Sequence, residues 1–225
     1  MPSLVITCEH AGNEVPDRYV HLFHDPEALN SHRGWDPGAL SIAEFVKSET
    51  KAPLFSCKIT RLLIELNRSL NSMSLFSEYS SQLTSQEKGA LVNEIYLPYR
   101  DAVEAMINHL EKPVLHFSIH TFTPVLNGIS RTTDVGILYD PSRGYETVIA
   151  GQLMTALTST LQGCAVDFNQ PYAGIDDGFT TYLRTRFGDS DYAGIEIEVN
   201  QRFAGSVEMK RIENSLAEGI RGLSA

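Results

Sequence analysis

Short apolar runs alternate along the chain with segments of helical periodicity, and the alternation predicts the elements. Ser3 to Cys8 is apolar and rich in β-branched residues, the mark of a buried strand. Pro53 to Cys57, Leu62 to Leu66, Val114 to Ile119, Asp134 to Tyr139, Ala165 to Phe168 and Ala193 to Val199 read as further strands. Pro37 to Glu49 reads as a helix with Asp36 as its cap and Pro37 in the first turn. Ser85 to Leu110 is helical in period, with Pro98 expected to kink or divide it. Tyr145 to Leu161 and Gly178 to Arg186 are predicted helices, and Val207 to Leu223 is a closing amphipathic one. Residues 11 to 35 carry Gly12, Pro16, Pro26 and Gly34 and are predicted to be irregular. Strands alternating with helices imply an α/β sandwich around a largely parallel sheet. In such sheets ligands bind beyond the carboxyl ends of the strands.

That rule directs attention to the strand ends. The first strand runs into Cys8-Glu9-His10, the strand at 114–119 into His120-Thr121, and the strand at 62–66 into Asn67-Arg68. The last strand carries Glu196 and Glu198. Parallel strands would bring these groups to one edge. Two histidines at separate strand ends suit a metal, since neutral imidazole is a preferred zinc ligand. A hydrolytic zinc site takes about three protein ligands and keeps one position open. Asp36, Asn13 and Glu14 are candidates for the third ligand, Asp36 having the plain role of helix cap as its alternative. His116 shares a strand face with His120, which makes it either a partner of the site or a core histidine with its hydrogen bonds satisfied. His21, His24 and His109 read as surface residues.

In Ile195-Glu196-Ile197-Glu198-Val199 the period of two places both carboxylates on one face. A buried parallel strand is normally apolar on both faces. The pair therefore marks either an edge strand with a wet face or a face bordering a polar cavity. In a cavity, one carboxylate could serve as general base. Arg61, Arg68 and, with less weight, Arg131 offer guanidinium forks that match a substrate carboxylate.

Composition narrows the classes. The chain has 225 residues, 42% of them apolar and 20% charged, values ordinary for a soluble globular protein. With no repeat and no Pro/Gly/Ser-rich linker, one domain over residues 1–225 is expected. The 18 Lys and Arg against 28 Asp and Glu give a net charge of −10. That field disfavours nucleic acid and anionic membrane surfaces. No run of apolar residues is long enough to span a bilayer, and the opening MPSLVITCEH lacks the basic region and long apolar core of a secretion signal. The three cysteines, Cys8, Cys57 and Cys164, are odd in number and far apart, as expected of reduced thiols in a cytoplasmic protein. Oligomeric state is not encoded in any feature of the sequence.

Several blocks together resemble the N-formylglutamate amidohydrolase family. They are Val5-Ile6-Thr7-Cys8-Glu9-His10-Ala11-Gly12-Asn13-Glu14-Val15-Pro16, His32 through Ala39, and Leu63-Ile64-Glu65-Leu66-Asn67-Arg68, where glutamate replaces the usual aspartate. Ser118 through Pro124, Gly136-Ile137-Leu138-Tyr139 and Ile197 through Gln201 complete the series, which runs in order from residue 4 to about 203. The resemblance implies a three-layer α/β sandwich with a mixed, largely parallel sheet, like that of zinc carboxypeptidases and other phosphorylase/hydrolase-like proteins. It implies one divalent metal, zinc by preference, and hydrolysis of N-formyl-L-glutamate to formate and glutamate. On this reading His10, Asp36 and His120 bind the metal and Glu198 handles the proton. Arg61, Asn67 and Arg68 hold the substrate carboxylate, with Arg131 as a further substrate-binding candidate. The carboxypeptidase relatives take a ligand from a glutamate three residues after the first histidine, where this chain has Asn13. Asp36 takes the third place instead, because an aspartate in that block is typical of the formylglutamate family. The alternatives are a deacylase for another N-acyl amino acid or small peptide, and an inactive binding protein on the same fold.

Overall fold

The computed structural model describes residues 1–224. Its centre is a six-stranded sheet formed by β1 (Ser3–Cys8), β2 (Leu54–Ser56), β3 (Val114–Phe122), β6 (Val135–Leu138), β7 (Val166–Phe168) and β8 (Tyr192–Asn200), in the order β2-β1-β3-β8-β6-β7. β4 (Val125–Leu126) and β5 (Ile129–Ser130) form a separate hairpin. All neighbours in the main sheet pair in parallel except β6 with β8. The sheet is thus mixed and mostly parallel, as the alternation of elements predicts.

A short helix, α1 (Pro26–Asn30), lies in the segment after β1, and longer helices cover both faces of the sheet. α2 (Ala39–Thr50), α5 (Gly144–Thr160) and α7 (Val207–Leu223) pack on one, where Ile6, Phe117, Ile119, Ile195 and Ile197 meet Ile42, Val46, Leu153, Ile212 and Leu216. On the other, α4 (Leu97–His109) and α6 (Phe179–Arg186) enclose Val5, Val103, Ile107, Val114, Phe179, Leu183 and Tyr192. The two-residue period of the strands decides what faces each layer. The first face of β3 and β8 is apolar except for Thr121 at the end of β3. The second carries His116, Ser118 and His120 on β3 and Glu196 and Glu198 on β8, all buried. β8 is flanked by β3 and β6, so its glutamates lie in the middle of the sheet and not on a wet edge.

The structure departs from expectation at Leu62 to Leu66 and within residues 11–35, where a 3-10 turn (Asp17–Leu22) and α1 (Pro26–Asn30) interrupt the irregular segment, whereas the Ser85–Leu110 stretch divides near Pro98 as predicted. Leu62 to Leu66 is not a strand. The run is buried, but as a series of turns packed on Tyr19, Phe23, Leu75, Leu83 and Leu91 beside the sheet. Its backbone is satisfied locally: Leu63 N–H donates to Thr60 O and Glu65 N–H to Leu75 O. Apolar character reported burial correctly and conformation incorrectly. The helical stretch from Ser85 is divided at a wide π turn, Val92–Tyr96, that separates α3 (Ser85–Leu91) from α4. Pro98 sits in the first turn of α4. Proline lacks the N–H for a carbonyl four residues earlier and its ring crowds that carbonyl, which a π turn relieves.

Candidate metal centre and active site

Three chain segments converge beyond the carboxyl ends of β1 and β3. The Asp36 N–H donates to His10 O at 3.1 Å and the Arg61 N–H to Gly34 O at 3.1 Å, stitching residues 10, 34–36 and 60–61 together. Asp36 does not cap α2. Gly38 holds the N-cap position with φ of 93° and no side-chain hydrogen bond, a left-handed conformation that glycine adopts without steric cost. The Asp36 carboxylate is thereby released toward the histidines.

Its Oδ2 lies 3.2 Å from Nδ1 of His10 and 2.9 Å from Nδ1 of His120. The three ligand atoms lie within 4.8 Å of one another, and all three residues are buried. Each histidine turns its other nitrogen to a carboxylate. His10 Nε2 hydrogen-bonds Glu65 Oε1. His120 Nε2 lies 3.2 Å from Glu9 Oε2, which also accepts from Ser118 Oγ at 2.6 Å. Tyr99 donates to the other Glu9 oxygen at 3.0 Å. A ring N–H given to a carboxylate, with the opposite nitrogen free to bind, is the usual support of a metal-ligating histidine.

The electrostatics agree with this donor set. Burial alone would push His120 toward neutrality, but hydrogen bonds to Asp36 and Glu9 raise its pKa well above the ordinary value. Burial opposes ionisation of Asp36, yet His10 and His120 hold it far below the usual carboxylate range. Glu9 is likewise driven down against its burial by His120 and Ser118, and Glu65 by Arg61 and His10. Buried anions concentrated around two imidazoles favour a cation between them, and N/O donors of this kind suit a borderline-soft divalent metal such as zinc. The residues present fit such an ion. The other third-ligand candidates are engaged elsewhere: Asn13 donates to Leu29 O and Asn30 Oδ1, and Glu14 is exposed.

A cavity of about 140 Å³ opens beside these residues, lined also by Arg61, Asn67, Arg68, Tyr172, Asp176, Glu196 and Glu198. His120 and Glu198 are direct partners across β3 and β8. Glu198 is 6% exposed, and its Oε2 has no hydrogen-bond partner. Burial, reinforced by Asp36 and Glu196 and opposed by His120, pushes its pKa up to about 8. Glu196 is occupied by Thr180, whose hydroxyl donates to it at 2.5 Å.

The arginines divide. Arg61 spans Glu65 (Nε to Oε2, 2.6 Å) and Asp36 (Nη1 to Oδ1, 3.4 Å) and still lines the cavity. Arg68 uses one terminal nitrogen on Asn67 O and Asp177 O, at 2.7 and 2.9 Å. Asn67 accepts from the Phe179 N–H through Oδ1 at 2.6 Å. Gly178 lies so close that a Cβ there would meet Glu196 Oε1 at 3.1 Å and Asn67 Oδ1 at 3.2 Å. Arg131 stands outside the cavity lining, donates to Tyr172 OH at 2.9 Å and stacks on Phe122 and Tyr172. It reaches the cavity only through Tyr172. His116 has both nitrogens satisfied, by Thr7 Oγ1 at 2.8 Å and Tyr192 OH at 2.7 Å, the core alternative.

Sequence reasoning missed the roles of Glu9 and Glu65, and the cavity wall at Tyr172 and Asp176. Glu65 carried a signal: a carboxylate inside an apolar run is costly to bury unless it is paired.

A sequence profile of N-formylglutamate amidohydrolases matches residues 2–204. The chain belongs to the N-formylglutamate amidohydrolase family. The match ends before α7, which packs with α2 and α5. Among solved structures, a gene product of Agrobacterium tumefaciens is similar at 25% identity and a TM-score of 0.83, covering 100% of this chain and 92% of that one. An amidase of Clostridioides difficile has 15% identity and a TM-score of 0.48, over 99% and 98% of the two chains. The succinylglutamate desuccinylase of Chromobacterium violaceum has 12% identity and a TM-score of 0.45, over 99% of this chain and 60% of that one. No curated protein matches the chain. Among the described residues no helix is long and apolar enough to cross a membrane.

Proposed function

We propose that the protein is a metal-dependent hydrolase that cleaves the amide of a small N-acyl amino acid, with N-formyl-L-glutamate as substrate and formate and glutamate as products. The observation that carries this reading is the convergence of His10, Asp36 and His120 beside the unpartnered carboxyl oxygen of Glu198. His10, Asp36 and His120 would hold one divalent ion, zinc by their donor chemistry. When bound, that ion supplies Lewis acidity, polarising the amide carbonyl and making water easier to deprotonate.

The chain's own groups supply the rest. Glu198, buried and without a hydrogen-bond partner, takes a proton from the attacking water and delivers it to the leaving nitrogen as the C–N bond breaks. Asn67 and Arg68 bind the amino-acid carboxylate, and the free face of Arg61 adds positive charge beside them. Arg131, through Tyr172, extends the positive rim toward the substrate side chain. Orientation by these groups aligns the amide with Glu198 and lowers the barrier by converting encounter into position. The small cavity suits an acyl group as compact as formyl. We assign the reaction to the cytoplasm as part of this proposal, a compartment in which Cys8, Cys57 and Cys164 would stay as free thiols.

The test is a panel of N-formyl, N-acetyl and N-succinyl amino acids, assayed for released amine with added zinc. Preferred release from N-formyl-L-glutamate supports the full reading, and preference for another member moves the substrate within the class. No release from any member, by protein shown to bind one equivalent of metal, sinks it.

A further inference from the structure

Arg100 is 4% exposed, on the α4 side of the sheet behind the cavity. Its guanidinium carbon lies 4.4 to 4.8 Å from the ring centroids of Tyr182, Phe179 and Tyr96. A buried guanidinium normally pairs with a carboxylate, because desolvating an unpaired cation is costly. Among the described residues Arg100 has no such partner. Its Nη1 donates to two backbone carbonyls, Leu66 O at 3.1 Å and Arg68 O at 3.0 Å. Tyr96 OH donates to the same Arg68 carbonyl at 2.8 Å. These acceptors flank Asn67 on both sides.

The arrangement has a local cause. Tyr96 ends the π turn and Arg100 follows four residues later, so both project from one side of the helix toward the 66–68 segment. Phe179 closes the loop: its ring packs on Arg100 while its N–H holds Asn67 Oδ1. With both carbonyls tied back to α4, the peptide units between them are fixed, and so are the directions in which Asn67 and Arg68 leave the backbone.

We propose that Arg100 is a positioning residue for the substrate carboxylate, tethering the Leu66 and Arg68 carbonyls so that Asn67 and Arg68 are held in register with the metal centre. The proposal rests on the amidohydrolase reading for its substrate but not for its structural content. Arg100 touches no substrate; it acts through the clamp. Its charge, unpaired and screened little by water, also adds to the positive field behind the carboxylate. Lysine would keep the charge but lose the planar guanidinium that stacks on three rings while its Nη1 holds both carbonyls.

The test compares wild type with R100Q and R100K on an N-acyl amino acid and on its carboxamide counterpart, which lacks the carboxylate. For R100Q, kcat/KM on the carboxylate substrate should fall roughly 10- to 100-fold, mostly through KM. The carboxamide should lose less than about threefold, and bound metal should stay at the wild-type level. R100K should fall between the two. Equal loss on both substrates would make Arg100 a plain structural residue and overturn the proposal, as would no loss on either. If R100Q does not fold, Y96F removes one donor to the Arg68 carbonyl and carries the same comparison. If wild type hydrolyses neither substrate, the amidohydrolase reading fails separately. Hydrogen exchange then decides: faster exchange confined to residues 66–69 in R100Q supports the tether, and unchanged exchange overturns it.

Discussion

Asp36 brings its Oδ2 to within 2.9 Å of Nδ1 of His120, across 84 positions of sequence. The same oxygen meets Nδ1 of His10 at 3.2 Å, so one carboxylate joins the loop after β1 to the C-terminal end of strand β3 itself. An anion facing two imidazoles in a dry site is stabilised by whatever cation lies between them. His120→Ala and Asp36→Asn should therefore both lose bound zinc and hydrolysis, with the fold retained by circular dichroism. Metal analysis after purification without chelator checks this. One full equivalent of zinc in His120→Ala would overturn the ligand assignment.

Glu9 and Glu65 contact the histidine nitrogens turned away from Asp36, behind the proposed metal position. Each accepts the ring N–H that fixes the tautomer, so losing that charge makes the imidazole a poorer and less oriented donor. Glu9→Gln and Glu65→Gln should each weaken zinc binding about 10- to 100-fold in competition with a chromophoric chelator. Activity at saturating zinc should fall far less. Unchanged zinc affinity in both variants would show that these carboxylates only fill space.

The sheet, its helices and the edge that carries the site were legible because each main strand holds a short run or face of apolar residues bounded by polar or turn-forming ones. His10, His120 and Glu198 could be placed for the same reason: they end or occupy strands whose direction the α/β pattern implies. What was not legible depends on long-range closure. Asp36 looks like a helix cap until Gly38 takes that place. Leu62 to Leu66 has a strand's composition, yet no free sheet edge accepts it, and it packs as turns on a second cluster. Glu9 meets His120 only because β1 and β3 pair in the register that sets Thr7 opposite Ser118. Arg100 is one charged residue in a helical period, and nothing local distinguishes a buried guanidinium from a solvated one.

His116 sets a pH dependence of stability distinct from that of the site. Burial, opposed by Glu9 and aided by Arg184 and His120, lowers its pKa from 6.5 to about 4. The unfolded chain therefore takes up a proton at a pH where the folded chain does not. Stability from the neutral ring is fully present above the unfolded value of about 6.5 and is lost as pH falls toward about 4, a change of about 3 kcal/mol. His116→Gln removes this titration. In urea unfolding of metal-free protein, the stability advantage of wild type over the variant should shrink by about that amount between pH 7 and pH 4. A pH-independent difference would show that His116 is not neutral in the fold.

Glu198 and Glu196 share a strand face, but their surroundings differ. Glu196 is held by Thr180, whereas Glu198 has a buried oxygen with no partner, facing the cavity. A carboxylate stripped of hydrogen bonds and water is a stronger base, which is the meaning of its pKa near 8. A divalent ion at His10, Asp36 and His120 adds positive charge to the same cavity and moves that value down, so the acid limb of activity in the zinc-loaded protein should lie below about 8. Glu198→Gln keeps the shape and removes the base. Its kcat should fall about 10²- to 10⁴-fold, while KM and zinc content stay near wild type. Glu196→Gln should cost far less in kcat. A reversed order, with Glu196→Gln the more damaging, would transfer the proton-handling role to Glu196, and steady-state rates with the zinc content of each variant measured in parallel decide between the two.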